Sequence, residues 1–206
     1  MRGLFCCAVM LAAGACGLAD DERSEENRYI YPVFSDKTFE AYCIREFDLD
    51  GNGRISRYEA QRVLRLDCSG LGIATLYDIA EFSNLRELDC SDNDLATLDV
   101  SMLAHLERLD CAYNRLTALD VGGLRGLVSL DVGGNPLRQL DLASNGSLVR
   151  FGGCDCGFVT LDVAPCARNM ELVDVRGCTD LTILYIAVGQ QISSLRCDGT
   201  TQVVER

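Results

Sequence analysis

Residues 85–142 contain LRELDCSDNDLATLDV (85–100), LERLDCAYNRLTALDV (106–121) and LVSLDVGGNPLRQLDL (127–142). The copies begin at Leu85, Leu106 and Leu127, 21 residues apart, and each repeats L-x-x-L-D-x-x-x-N-x-L-x-x-L-D. A fixed period of this length predicts a solenoid. A single copy has nothing to bury its apolar face against except the copies above and below it. Leu, Leu and the Cys or Val two residues later alternate with polar residues, as a strand with one buried face requires. Asn93, Asn114 and Asn135 then fall in the turn leaving each strand. There a buried amide can satisfy backbone groups that sheet pairing leaves over.

The template extends in both directions. Val63, Leu66, Cys68, Ile73 and Leu76 match it before the clean copies, and Leu148, Phe151, Phe158 and Leu161 match it after them. Cys156 takes the place of the asparagine. Leu172 and Val175 start a further coil one residue short inside, and Ile192, Leu195 and Cys197 form a last strand, giving about seven coils over residues 63–206. The pattern resembles the leucine-rich-repeat family. The resemblance implies an α/β-type solenoid with short parallel strands on a concave face.

Residues 29–62 form a separate helical unit around Asp48–Glu59, DLDGNGRISRYE. This stretch resembles an EF-hand loop. Asp48, Asp50 and Asn52 supply side-chain oxygens, Arg54 its carbonyl, Ser56 a hydroxyl or bridging water, and Glu59 a bidentate carboxylate. Gly53 allows the sharp turn. Phe39, Cys43, Ile44 and Phe47 recur at helical spacing before the loop, and Ala60, Val63 and Leu64 follow it. The resemblance implies one weak Ca²⁺ site. Two departures are Ala60, where a large apolar residue is usual, and the single loop, where EF-hands normally pair. The alternative is an EF-like cap that holds no metal. Internalin-type proteins carry an EF-hand-like cap before their repeats, so cap and repeats together resemble an internalin-like bacterial surface leucine-rich-repeat protein.

Residues 1–19 read as a targeting segment, with Arg2 as its positive end and an apolar run from Leu4 to Ala13. Ala13–Cys16, A-G-A-C, resembles a lipobox that would lipidate Cys16, although Leu is usual where Ala13 stands. Plain cleavage after Ala19 is the alternative. Residues 20–28, DDERSEENR, have nothing apolar to bury and read as a tether. An acidic stretch there also resembles a surface-export signal of some Gram-negative lipoproteins. The expected location is the outer membrane or cell surface, with the periplasm or secretion as the alternative.

The net charge of −12 argues against nucleic acid as a partner, and against an anionic membrane except through a lipid anchor. One His and no Trp exclude a His-rich metal site. No nucleophile constellation appears and the repeat template supplies no cleft, so no enzyme is expected. On the concave face the row after the second leucine holds Asp67, Asp89, Asp110 and Asp131, then Gly152, Arg176 and Arg196. Carboxylates ~4.8 Å apart repel by ~1 kcal/mol per pair even in water. Arg65, Arg86, Arg108 and Arg150 lie on this face or its edge and offset that. The row is either a solvated strip or a binding strip with Tyr113 as aromatic anchor. Asp99, Asp120, Asp141 and Asp162 form a second row suited to capping convex turns. Cys68, Cys90, Cys111 and Cys197 point inward as small hydrophobes. Cys154 and Cys178 are expected on the outer face as a disulfide. The leading expectation is a monomeric module that binds a protein or cell-surface ligand. The alternative is a calcium-stabilised structural protein of the envelope.

Overall fold

The computed structural model describes residues 27–206. The targeting segment with Cys16 and most of the acidic stretch after it lie outside the described residues.

Seven strands make one parallel sheet: β1 (Arg65–Asp67), β2 (Glu87–Asp89), β3 (Arg108–Asp110), β4 (Ser129–Asp131), β5 (Arg150–Gly152), β7 (Asn169–Asp174) and β9 (Gln191–Arg196). They pair in the order β1-β2-β3-β4-β5-β7-β9, so each strand meets the equivalent strand of the next coil. The register keeps the repeat aligned: Leu66, Leu88, Leu109, Leu130, Phe151 and Val173 form one buried row. Together with the Leu and Val residues of the convex turns they make a continuous core from Phe34 to Leu184. The molecule is a leucine-rich-repeat solenoid with parallel strands.

The first end is closed by the helical cap. Helix α1 (Lys37–Phe47) starts at Asp36, whose carboxylate accepts the N–H groups of Thr38 and Phe39. Its second oxygen accepts Ala74 N–H from the first coil at 2.9 Å, so one side chain caps the helix and ties it to the repeats. The rings of Phe34, Phe39 and Phe47 gather on Phe82, with centroids 6.5, 5.8 and 6.2 Å from it. Phe82 follows a 3₁₀ helix, Tyr77–Glu81, on the first convex turn. Helix α2 (Arg57–Ala60) adds a bidentate pair from Arg57 to Glu81 at 2.7 and 3.0 Å. The expected helix after the loop is thus a single turn. Its successor residues are already recruited to the sheet: the Leu64 carbonyl accepts the N–H groups of Arg86 and Glu87.

At the other end a second parallel sheet appears, formed by β6 (Thr160–Asp162), β8 (Ile183–Ile186) and β10 (Gln202–Glu205) in the order β10-β8-β6. The middle coils have capped turns at this place. There Asp99, Asp120 and Asp141 accept the N–H two residues on, and Asp162 does the same. The β-branched and aromatic residues of ILYI and QVVE suit a strand instead. Among the described residues no helix is long and apolar enough to cross a membrane.

One register expectation needs correcting. Leu172 and Val175 are not the leucine pair of their coil. Phe151 pairs with Val173, and Leu172 pairs with Arg150 on the outward row. Met170, Val173 and Val175 are the buried residues, so Met170 holds the place the template assigns to leucine.

Candidate functional site: the cap loop and the concave face

Asp48 leaves α1 with its N–H still bonded to the Ile44 carbonyl. Its carboxylate then accepts the N–H groups of Gly51, Asn52 and Gly53 at 2.9, 3.2 and 2.8 Å. Gly51 and Gly53 have φ of 72° and 76°, a conformation in which a Cβ would be strained. Asp50 accepts Asn52 N–H, and the Asn52 side-chain oxygen accepts Arg54 N–H. Ser56 caps α2 in a reciprocal capping box with Glu59. One Glu59 oxygen accepts from Ser56 N–H and Oγ; the other accepts Leu49 N–H at 2.8 Å. Glu59 therefore reaches across the loop to its start. Asp48, Asp50 and Glu59 each place a carboxylate oxygen within 4.8 Å of the others. The N–H of Gly53, first among several donors, holds the Asp48 carboxyl below its ordinary range, so it stays ionised. Arg54 lies over the Tyr31 ring at 3.9 Å, and its backbone carbonyl is the one oxygen it could offer a cation. These donors fit a hard cation that takes oxygen ligands.

On the concave face the register sets Asp67, Asp89, Asp110 and Asp131 on successive rungs. Each uses one oxygen, Oδ1, to accept the N–H two residues on. None of the four forms an ion pair among the described residues. Burial first, then the neighbouring carboxylates, raises the Asp110 carboxyl to about 6, and burial raises Asp131 as well. Gly152 follows Asp131; a Cβ there would collide with the Asp131 carboxylate. The next rung is Asp174, not Arg176 as the sequence register placed it. Arg176 instead clamps Asp174 through bonds of 2.9 and 2.7 Å, and Arg196 adds a contact at 3.4 Å. That clamp pulls the Asp174 carboxyl well down.

The arginines expected to offset the row mostly serve the one beside it. Arg65 and Arg108 both pair with Glu87, Arg86 pairs with Glu107, and Arg150 with Glu171. These pairs are exposed and add little stability. Tyr113 stands at the strand exit, 63% exposed, with φ of 53°. Gly70, Asp92, Gly134, Asp155 and Gly177 share that left-handed conformation, one per coil. The Tyr113 ring lies across Gly134, where a Cβ would fall 2.6 Å from Cδ1. Glycines 70, 134 and 177 at one offset were the available signal for this row.

The asparagine ladder is built as its spacing suggests. Asn114 Nδ2 donates to the carbonyls of Cys90, Cys111 and Ala112 at 2.9–3.2 Å, and its Oδ1 accepts Leu95 N–H at 2.9 Å. Asn93 and Asn135 repeat the arrangement. Cys156 continues it, with Sγ 3.3 Å from the Val132 carbonyl, and Cys178 comes next, 3.0 Å from the Gly153 carbonyl. Cys178 is therefore fully buried in the ladder and not on the outer face. All nine described cysteines are free, so the Cys154–Cys178 disulfide is not formed. Cys68, Cys90 and Cys111 stack in the core, and burial raises the Cys68 thiol to about 12. Asn145 and Gln190 were not singled out in the sequence. Both are buried and bind carbonyls of neighbouring coils, Asn145 those of Val121 and Leu124, Gln190 those of Val163 and Ala167.

The repeats do leave a cleft. Between the cap and the first two coils lies a groove of about 730 Å³, lined by Tyr42, Phe47, Leu49, Val63, Leu64 and Leu66 among others. It opens onto a shallow trough of about 310 Å³ along the Asp row. The template could not show it, because the cap supplies one wall.

The Leucine Rich Repeat family matches at residues 84–106. Among solved structures, the functional domain of InlJ from Listeria monocytogenes, described as including a cysteine ladder, is similar at 25% identity with a TM-score of 0.55, over 73% of this chain and 37% of that one. The internalin inlF from the same organism shares the fold at 16% identity with a TM-score of 0.65, over 84% of this chain and 58% of that one. This chain thus spans less than two thirds of either structure. No curated protein matches it.

Proposed function

We propose that this chain is a cell-envelope interaction module that binds a protein partner on its concave face and holds one Ca²⁺ in its cap loop. The observation that carries the binding role is the Asp row: four carboxylates on adjacent rungs, each with a free oxygen and no ion-pair partner among the described residues. A strip kept only for stability would not concentrate repulsion in this way. The test is a partner screen of envelope and host extracts with the full chain. A partner retained by the wild type and lost by the Asp89→Asn, Asp110→Asn, Asp131→Asn triple variant supports the role. Equal capture by both removes it.

Calcium would be held by Asp48, Asp50, Asn52, the Arg54 carbonyl, Ser56 and Glu59. A lone loop suits the weak range, with Kd of ~10⁻⁴–10⁻³ M. At ten times Kd the stabilisation is ~1.4 kcal/mol. Millimolar calcium should therefore raise the melting temperature modestly. Glu59→Gln should abolish most of the rise and Arg54→Ala should not. An unmoved wild-type curve removes the calcium site. Export and anchoring through Cys16 complete the proposal; Cys16→Ser should shift the protein from the membrane to the soluble fraction, and unchanged partitioning counts against the anchor.

A further inference from the structure

We infer that the groove between cap and solenoid is the docking point for a partner segment with an apolar anchor followed by basic residues that lie along the Asp row. The inference rests on the interaction role proposed above and specifies its ligand. The groove's apolar lining comes from both sides: Tyr42, Phe47 and Leu49 from the cap, and Val63, Leu64 and Leu66 from the start of the first coil. Leu49 is 53% exposed although it sits at the mouth of a folded loop, where its N–H is fixed by Glu59. A rigidly held, exposed leucine beside such a cavity offers a seat for an apolar side chain. Groove and trough share Glu87, Asp89 and Arg108, so a segment leaving the groove runs directly onto the acidic rungs.

Charge sets the chemistry of the segment beyond the anchor. Arg65 and Arg108 are committed to Glu87 and Arg86 to Glu107, whereas Asp67, Asp89, Asp110 and Asp131 each keep Oδ2 uncommitted. An approaching chain therefore meets uncompensated negative charge, and basic residues are its complement. The rungs are ~4.8 Å apart and alternate residues of an extended chain ~6.6 Å apart; the flexible stem of lysine absorbs the difference.

The experiment uses the full chain in calcium-containing buffer at physiological salt, with labelled synthetic peptides read by fluorescence anisotropy. One peptide carries Leu-Phe followed by lysines alternating with serines. A second has glutamates for the lysines, and a third has Ser-Ser for Leu-Phe. The first should bind at least about tenfold tighter than either control. Leu49→Asp separates docking from general attraction of a basic peptide to an acidic protein. It adds a negative charge at an exposed site, so general attraction would tighten binding, whereas groove docking predicts a loss of about tenfold. Its melting curve reports that it folds, and Asp89→Asn should weaken the same peptide while leaving that curve in place. Absence of binding, equal binding of the first and third peptides, or unweakened binding to Leu49→Asp overturns the inference. A partner captured by the wild type and equally by Leu49→Asp would overturn the groove alone and leave the interaction role standing.

Discussion

In the coils between Leu85 and Leu142 an amide closes each turn out of the strand; in the two coils that follow, Cys156 and Cys178 stand at the same place. The amide gives three donor contacts and accepts an N–H from the preceding coil. The thiol gives one weak contact to a carbonyl and carries no carbonyl of its own to accept an N–H. The burial is equivalent, since Asn114 is 6% and Cys156 5% exposed. What changes is how strongly each coil is bonded to the next. Where the amides end, the convex side turns from capped bends into β6, β8 and β10, which restore coil-to-coil bonding through a second ladder of backbone hydrogen bonds. A solenoid needs its coils joined on both sides, and either side chain or backbone can do the joining.

The largest effect that tests this contrast is core truncation. Leu109→Ala, in the middle of the stack and 2% exposed, should cost ~2–5 kcal/mol in a denaturant titration. Leu195→Ala, on the edge strand β9 and 37% exposed, should cost well under ~2 kcal/mol, because less of the side chain leaves water on folding. Similar costs would mean that the last coil is as well packed as the middle.

The ladder itself comes next. Asn114→Ala orphans buried backbone groups in two coils and should cost about 3 kcal/mol, as each such group costs ~1–3. Cys178→Ala removes one weak bond and a small buried volume, so about 1 kcal/mol is expected. If the two costs agree, hydrogen bonding does not distinguish the regions.

The regular coils were legible in the sequence because one rule places most of the buried residues: Leu88, Cys90, Asn93, Leu95 and Leu98 lie at the fixed offsets of the repeat and all are buried. The rule failed where competing residues satisfied it equally well. Leu172 is the better leucine, yet Val173 faces the core, and the shift carried Arg176 into the place of Asp174. The convex strands were hidden for a related reason, since Leu161 fits both a capped turn and a ladder with Leu184. The loop Asp48–Glu59 was readable as a string of oxygen ligands, and the structure brings Asp48, Asp50 and Glu59 together. The groove was not readable, because it forms between segments that share no motif. Phe82, which seats the cap, falls outside the quoted template although it stands one repeat period before Leu103.

The smallest predicted effect sets two aspartates of one row against each other. Asp110 is a partly buried carboxyl whose value is raised to about 6 by burial and by Asp89, Asp131 and Asp67. Below the unfolded value of ~3.9 both states are protonated and no penalty exists. Between there and about 6 the unfolded chain releases its proton first, so stability falls as pH rises, and the penalty is complete above about 6. Water still reaches the group, which limits the penalty to ~1–2 kcal/mol. Asp110→Asn keeps an oxygen for the Ala112 N–H and removes the charge. It should therefore stabilise the protein near neutral pH and lose that gain near pH ~4. Asp174 has the opposite sign, because its carboxyl is lowered chiefly by the Arg176 side chain. Its contribution is present above the unfolded value and disappears as pH falls toward the folded one. Asp174→Asn should cost ~1 kcal/mol at neutral pH, discounted because Arg176 is largely exposed, and less in acid. Melting curves of both variants at the two pH values decide the matter. Shifts of the same sign at neutral pH would show that the arginine clamp does not set these two carboxyls apart.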